Sequence, residues 1–218
     1  MPLQNRVTPG GEIIADPARG TLMGNRGILH DANGRLGAVR WRHPHWICCR
    51  LAFKDRRRPV MAPGRYTELF FLDEATALAA GHRPCYECRR ADFLRFQAGW
   101  KHAFPDTDAS APVIDRALHR ARVEPRTRRQ IRFTAPLDGL PDGTFVILPD
   151  DPSPPLLVLG AQVFPWHPSG YAPPRPRLAA IKVLVLTPRP TVAVLRAGYT
   201  AAVHPSAGEV PPRQAGAP

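Results

Sequence analysis

Residues 70–90, FFLDEATALAAGHRPCYECRR, constrain the fold most, because a helix-length run there delivers two cysteines separated by two residues. Asp73 is placed to cap that helix and Glu74 suits its first turn, while Ala75, Leu78 and Ala79 recur at the i, i+3, i+4 spacing of an inward stripe. Gly81 then ends it, being the residue type that accepts the left-handed backbone of a helix C-terminus. Cys85 and Cys88 fall in the turn that follows. Two thiolates at this spacing can point at one ion, and four cysteines in 218 residues are too few for a disulfide scaffold. We read the turn as half of a zinc site.

The other half must come from upstream, where Trp46–Phe53 (WICCRLAF) reads as a strand. Side chains alternate along a strand, so Ile47, Cys49, Leu51 and Phe53 share one face and Trp46, Cys48 and Arg50 the other. With the apolar set inward, Cys49 is held inside the domain and Cys48 lies opposite. A regular strand cannot aim both sulfurs at one ion. Either a bulge at Cys48 completes a set of Cys48, Cys49, Cys85 and Cys88, or one cysteine is joined by a histidine, for which His45, His43, His82 and the more distant His30 are at hand. The next loop carries Arg56, Arg57 and Arg58, and Tyr66–Leu72 is expected to return as the partner strand of a hairpin with a basic tip.

Elsewhere the patterns are simpler. Residues 1–40 read as short strands and turns, with Met23–Gly27 a glycine turn bearing a solvated Arg26. A second helix is predicted over residues 91–102 with Phe93, Phe96 and Trp100 in the core, and a third over residues 113–123. Arg126, Arg128, Arg129 and Arg132 form a basic run of the kind that usually makes a solvated face. From residue 135 to about 188, apolar β-like bursts alternate with Pro, Gly and Asp turns. A closing helix is expected from a Thr191 cap to Ala197. The fold class is therefore α+β, a small zinc-binding αβ unit followed by a small β-rich unit: 1–106 the zinc-binding domain, 107–134 a basic helical connector, 135–204 the β-rich domain and 205–218 a disordered tail.

These residues carry a resemblance. Phe70, the helix through Ala79-Ala80-Gly81, then Arg83-Pro84-Cys85 and Cys88-Arg89 are similar, without a gap, to the end of the metal-binding domain of Ada-type DNA alkylation response proteins. Ile47-Cys48-Cys49-Arg50 resembles the upstream strand of that family, where Ile-x-Cys-Arg carries the first ligand. The likeness covers about residues 45–92, and Phe53 stands where the family has a further cysteine. It implies zinc (Zn2+) held beside DNA phosphates, with Cys49 at the position that accepts a methyl group from a phosphotriester. It leaves the fourth ligand to Cys48 first and His45 next.

A formal charge of +12 makes nucleic acid, DNA favoured, the leading partner class, although arginine so outnumbers lysine that a GC-rich coding bias accounts for part of it. The residues expected at phosphates are Arg50, Arg56, Arg57, Arg58, Arg83, Arg89 and Arg90. A protein partner, with zinc as a staple, is the alternative. Pro84-Cys85-x-x-Cys88 also fits half of a zinc deaminase signature, but no His-x-Glu or Cys-x-Glu precedes it. A thioredoxin-like motif would open a helix after a strand, whereas this one follows a helix. With no leader-like start and no apolar run long enough to span a bilayer, a cytoplasmic protein without membrane attachment is expected.

Overall fold

Apolar alternation in short runs gives the first half of the chain a sheet. In the computed structural model, which describes residues 1–54 and 59–208, six strands lie in the order β2-β1-β5-β3-β4-β6. They are β1 (Gln4–Val7), β2 (Ile13–Ala15), β3 (Leu22–Asn25), β4 (Ile47–Arg50), β5 (Leu69–Phe71) and β6 (Arg83–Pro84). Arg56, Arg57, Arg58 and residues 209–218 lie outside the described residues.

The expected hairpin does not form, because β3 sits between β4 and β5 and pairs antiparallel with both. The long connection from residue 51 to 68 does not force its two ends to pair, and Gly24 opens the central slot. A Cβ there would come 2.4 Å from the Phe71 ring, so only glycine lets β3 pass this close. Strand β4 is also shorter than Trp46–Phe53, ending at Arg50.

The second half is a seven-stranded antiparallel sheet, ordered β11-β10-β9-β8-β13-β7 with β12 on the flank of β10. Its strands are β7 (Phe133–Pro136), β8 (Phe145–Ile147), β9 (Leu156–Leu159), β10 (Gln162–His167), β11 (Gly170–Tyr171), β12 (Arg175–Pro176) and β13 (Lys182–Val185). Among the described residues four helices accompany the sheets: α1 (Glu74–Ala79), α2 (Arg90–Ala103), α3 (Ala111–Arg122) and α4 (Arg189–Arg196). The architecture is α+β. Among the described residues no helix is long and apolar enough to cross a membrane.

Helix α2 buries Phe93, Phe96 and Trp100, the aromatics read as core. One cluster draws Leu78 from α1, Phe96 from α2, Ile114 and Leu118 from α3, and Phe145, Leu157 and Phe164 from the second sheet. Segments 1–106, 107–134 and 135–204 thus all contribute to it. Helix α4 begins at Arg189 with Pro188 as its cap residue, not at Thr191, because Pro190 lacks an N–H and fits the first turn, where that group has no intrahelical partner. Nor is the chain from 205 irregular at once: Pro205–Ala207 makes a 3-10 turn whose Ser206 Oγ accepts the Tyr171 N–H at 2.8 Å.

Two buried carboxylates at the start of α1 hold the halves together. Asp73 accepts the Thr76 N–H at 2.8 Å as a cap, and its other oxygen accepts the Tyr171 hydroxyl at 2.6 Å and the His204 N–H at 2.9 Å. Glu74 accepts from Arg89 at 2.8 Å, from the Tyr199 hydroxyl at 2.6 Å and from the Ala202 N–H at 2.9 Å. Burial, then the facing carboxylates, raises the pKa of both tyrosines, so each stays a neutral donor. Asp73→Ala removes the cap and strands a buried hydroxyl and N–H. Urea unfolding is expected to show a loss of about 3 kcal/mol or more, and a loss under about 1 kcal/mol would contradict this role.

Candidate metal centre

Gly81 turns the chain out of α1 with φ 86°, and a Cβ there would lie 2.5 Å from Arg122 Cδ. Both the backbone and the space require glycine. The chain then runs as β6 parallel to β4, pairing Ile47 with Arg83 and Cys48 with Pro84, and the Cys85 N–H donates to the Cys48 carbonyl at 2.9 Å. Arg83 anchors this edge from beneath: its fork donates to both oxygens of the buried Asp115 on α3, at 2.8 and 2.7 Å. This pairing brings Cys49, at the end of β4, beside the turn that holds Cys85 and Cys88.

The sulfurs of Cys49, Cys85 and Cys88 all lie within 4.8 Å of one another. In a tetrahedral site with metal–sulfur bonds of about 2.3 Å, neighbouring sulfurs stand about 3.8 Å apart, so a small contraction would seat an ion. The donor set is also partly ready. The Cys49 thiol donates to Cys85, the N–H groups of Cys88 and Glu87 point at the same sulfur, and together they hold Cys85 down to about 5 against the desolvation of burial. Donating to Cys85, then burial, pushes Cys49 well up, and burial raises Cys88 despite an N–H from Arg50. One thiolate is therefore stabilised before any metal arrives, and three close thiols could hold a metal ion.

Cys48, expected first as the fourth ligand, is elsewhere. Strand β4 pairs with β3 residue for residue from Leu22–Arg50 to Asn25–Ile47, with no bulge, so Cys48 and Cys49 point to opposite faces. The facing is also the reverse of that inferred from the apolar set. Cys48 is 1% exposed in a cluster with Val7, Leu69 and Phe71, whereas Cys49 is half-buried. Arg89 Nη1 approaches the Cys48 sulfur at 3.5 Å, and burial raises this thiol. His45 turns its exposed ring to Asp115, with Nδ1 at 3.0 Å. Among the described residues no histidine joins the trio.

The arginines divide as well. Arg50 and Arg90 are exposed, the latter with its guanidinium 4.6 Å over the Tyr86 ring. Arg83 and Arg89, expected at phosphates, are instead buried: Arg83 is bound to Asp115, and Arg89 to Glu74 and Asp92. Desolvation works against the Arg89 charge, and the carboxylates of Glu74 and Asp92 outweigh it. Arg26, read as solvated, is 2% exposed and stacks over Trp46 at 4.1 Å, as does Arg122 at 3.9 Å. Nothing in the sequence marks Arg122, Asp115 or Glu74 as buried charges. Only Asp115, between the core residues Ile114 and Leu118 and among basic neighbours, gives a faint sign.

No protein-family model matches the chain, and no curated protein or solved structure does. The assignment of the site rests on its geometry.

Single Cys→Ser variants test that geometry by metal content. Serine at 49, 85 or 88 is expected to lose most of the bound metal, whereas Cys48→Ser retains it and loses about 1–3 kcal/mol of stability through an ill-matched buried hydroxyl. Metal ligands must be deprotonated, and Cys49 and Cys88 are held in the thiol form at neutrality while Cys85 is ionised. Binding at pH 7 should therefore release more than one proton per ion, so affinity rises with pH; calorimetry in buffers of differing ionisation enthalpy reads this, and no proton release would contradict it.

Proposed function

We propose that the chain is a zinc-binding protein that binds nucleic acid, DNA foremost, in repair or transcriptional regulation. The convergence of Cys49, Cys85 and Cys88 within 4.8 Å carries this reading. Three soft thiolates favour zinc over hard divalent ions, and three protein ligands leave one position of its tetrahedron to a further group. Kinship with the Ada-type metal-binding domain is part of the proposal. It is supported by the order of the parts: a strand cysteine, a capped helix, Gly81, and Arg83-Pro84-Cys85 leading to Cys88. For the nucleic-acid partner the support is the +12 charge and the exposed Arg50 and Arg90 next to the thiols.

One observation favours an added chemistry. Cys49 is half-buried as a residue, whereas Cys85 and Cys88 are buried, and it sits at the position the resemblance gives to the methyl acceptor. In that role its thiolate takes a methyl group from a phosphotriester, the S–C bond forming as the C–O bond breaks and the phosphodiester leaving with the electron pair.

Anisotropy of labelled DNA tests the partner class. Binding is expected at low salt and should weaken steeply as salt rises, each lost phosphate contact on duplex DNA lowering the log–log slope by about 0.9; no affinity at low salt contradicts the proposal. Incubating the zinc form with methylated phosphotriester DNA should add one methyl group to Cys49 if the second reading holds, and an unchanged mass contradicts it.

A further inference from the structure

A second feature is a groove whose lining contains none of the cysteines. The segment 39–42, the last turn of α3 and the turn that follows it enclose this groove of about 570 Å³. Arg40, Trp41, Arg42, His119, Arg120 and Arg128 line it, and the lining contains no carboxylate. Of the nearest acids in sequence, Asp115 is taken by Arg83 and His45, while Glu124, between the lining residues Val123 and Pro125, turns Oε2 to the Thr127 N–H at 2.6 Å and stays ionised. Among the described residues no ion pair joins Arg120 or Arg128 to an acid. Arg40 and Arg42 each give one N–H to a carbonyl, of Gly37 and Ile28, which leaves further donors on each fork. Arg128 holds a left-handed backbone, φ 58°, unusual for a side-chain residue and fixed by its N–H to the Glu124 carbonyl at 2.8 Å.

Behind the lining the charge is also positive. Arg122, which meets His119 Nδ1 at 3.2 Å, and Arg26 are buried, which lowers the pKa of both, and their other hydrogen bonds run to carbonyls and to His82 rather than to carboxylates. Among the described residues, Arg122 Nε and Arg26 Nη2 have no hydrogen-bond partner. The C-terminal dipole of α3 opposes this with only about half a negative charge. Trp41 adds the other requirement. Trp46, Trp100 and Trp166 are 3%, 3% and 6% exposed, so Trp41, half-buried with its indole set edge-on to His119 at 5.8 Å, is the one tryptophan a ligand can reach.

We propose that this groove binds a nucleotide unit, its phosphate held by the guanidiniums of Arg40, Arg42, Arg120 and Arg128 and its base stacked on Trp41. Guanidinium forks match phosphate oxygens, and stacking on an indole is open to every base. The ligand is a free nucleotide or one unit of a single strand. As a nucleic-acid surface the groove rests on the function proposed above.

The test uses the full zinc-loaded chain, titrated with a short labelled oligodeoxyadenylate, the same strand without bases, adenosine monophosphate, inorganic phosphate and polyglutamate, while anisotropy and tryptophan emission are read. The oligonucleotide is expected to bind and to quench emission, and the abasic strand to bind more weakly without quenching. An Arg120→Glu and Arg128→Glu double variant, both sites exposed, should lose at least tenfold in affinity and show a shallower salt dependence. Trp41→Leu should lose the quench and about fivefold or more in affinity. If Trp41→Leu fails to fold, the double variant still decides. Unchanged affinity in the double variant overturns the groove while leaving nucleic-acid binding in place, and a matching loss in Arg50→Glu would move the contact to the metal rim. Adenosine monophosphate binding without strand binding upholds the groove and removes the nucleic-acid function. Polyglutamate binding as tightly as the strand, with no quench by any base, overturns the groove as a nucleotide site, and no binding by any ligand removes both proposals.

Discussion

The parallel pairing of β4 with β6 is the constraint on which the centre depends. Cys49 and Cys85 are far apart in sequence, and neither carries information about the other. They meet because Arg83 N–H donates to Trp46 carbonyl and Cys85 N–H to Cys48 carbonyl, at 3.1 and 2.9 Å, which sets the register of the short edge strand β6 on β4. A strand of two residues cannot hold a register alone. The fork from Arg83 to Asp115 and the tight exit at Gly81 supply what the ladder lacks.

The same region ties the two sheets. Asp73 and Glu74 open α1: Asp73 gives one oxygen to Thr76 and the other to Tyr171 and His204, while Glu74 shares one oxygen between Arg89 and Tyr199 and gives the other to Ala202. Arg89 continues the link, touching Glu74 on one side and the Cys48 sulfur on the other. Buried charges of this kind are costly unless fully bonded, and here every carboxylate oxygen has a donor. The second sheet is in this way bonded to the helix that presents the cysteines.

Much of the centre was legible in the sequence because its signals are local. The Asp73 cap, the stripe on α1, the left-handed Gly81 and the Cys85–Cys88 spacing each depend on residues within a few positions of one another. The α+β class and the core aromatics of α2 followed from periodicity in the same way. What failed were inferences about long-range partners. The hairpin failed because β3 intervenes through Gly24, and the facing of Cys48 and Cys49 failed because apolar character does not say which neighbour a face meets. The burial of Arg26, Arg83, Arg89 and Arg122 could not be read, since guanidiniums enter a core only where carbonyls, acids or an aromatic face await them. Basic charge is divided between a few structural arginines inside, Arg26, Arg83, Arg89 and Arg122, and a larger exposed set that includes Arg50 and Arg90.

The central claim is that three cysteines, Cys49, Cys85 and Cys88, hold the metal while Cys48 stands apart in the core. X-ray absorption at the zinc edge of the purified, reduced protein tests this most directly, because it counts sulfur neighbours. The account predicts three sulfurs at about 2.3 Å and one lighter oxygen or nitrogen neighbour at about 2.0 Å. Four sulfurs would bring Cys48 into the site and contradict it.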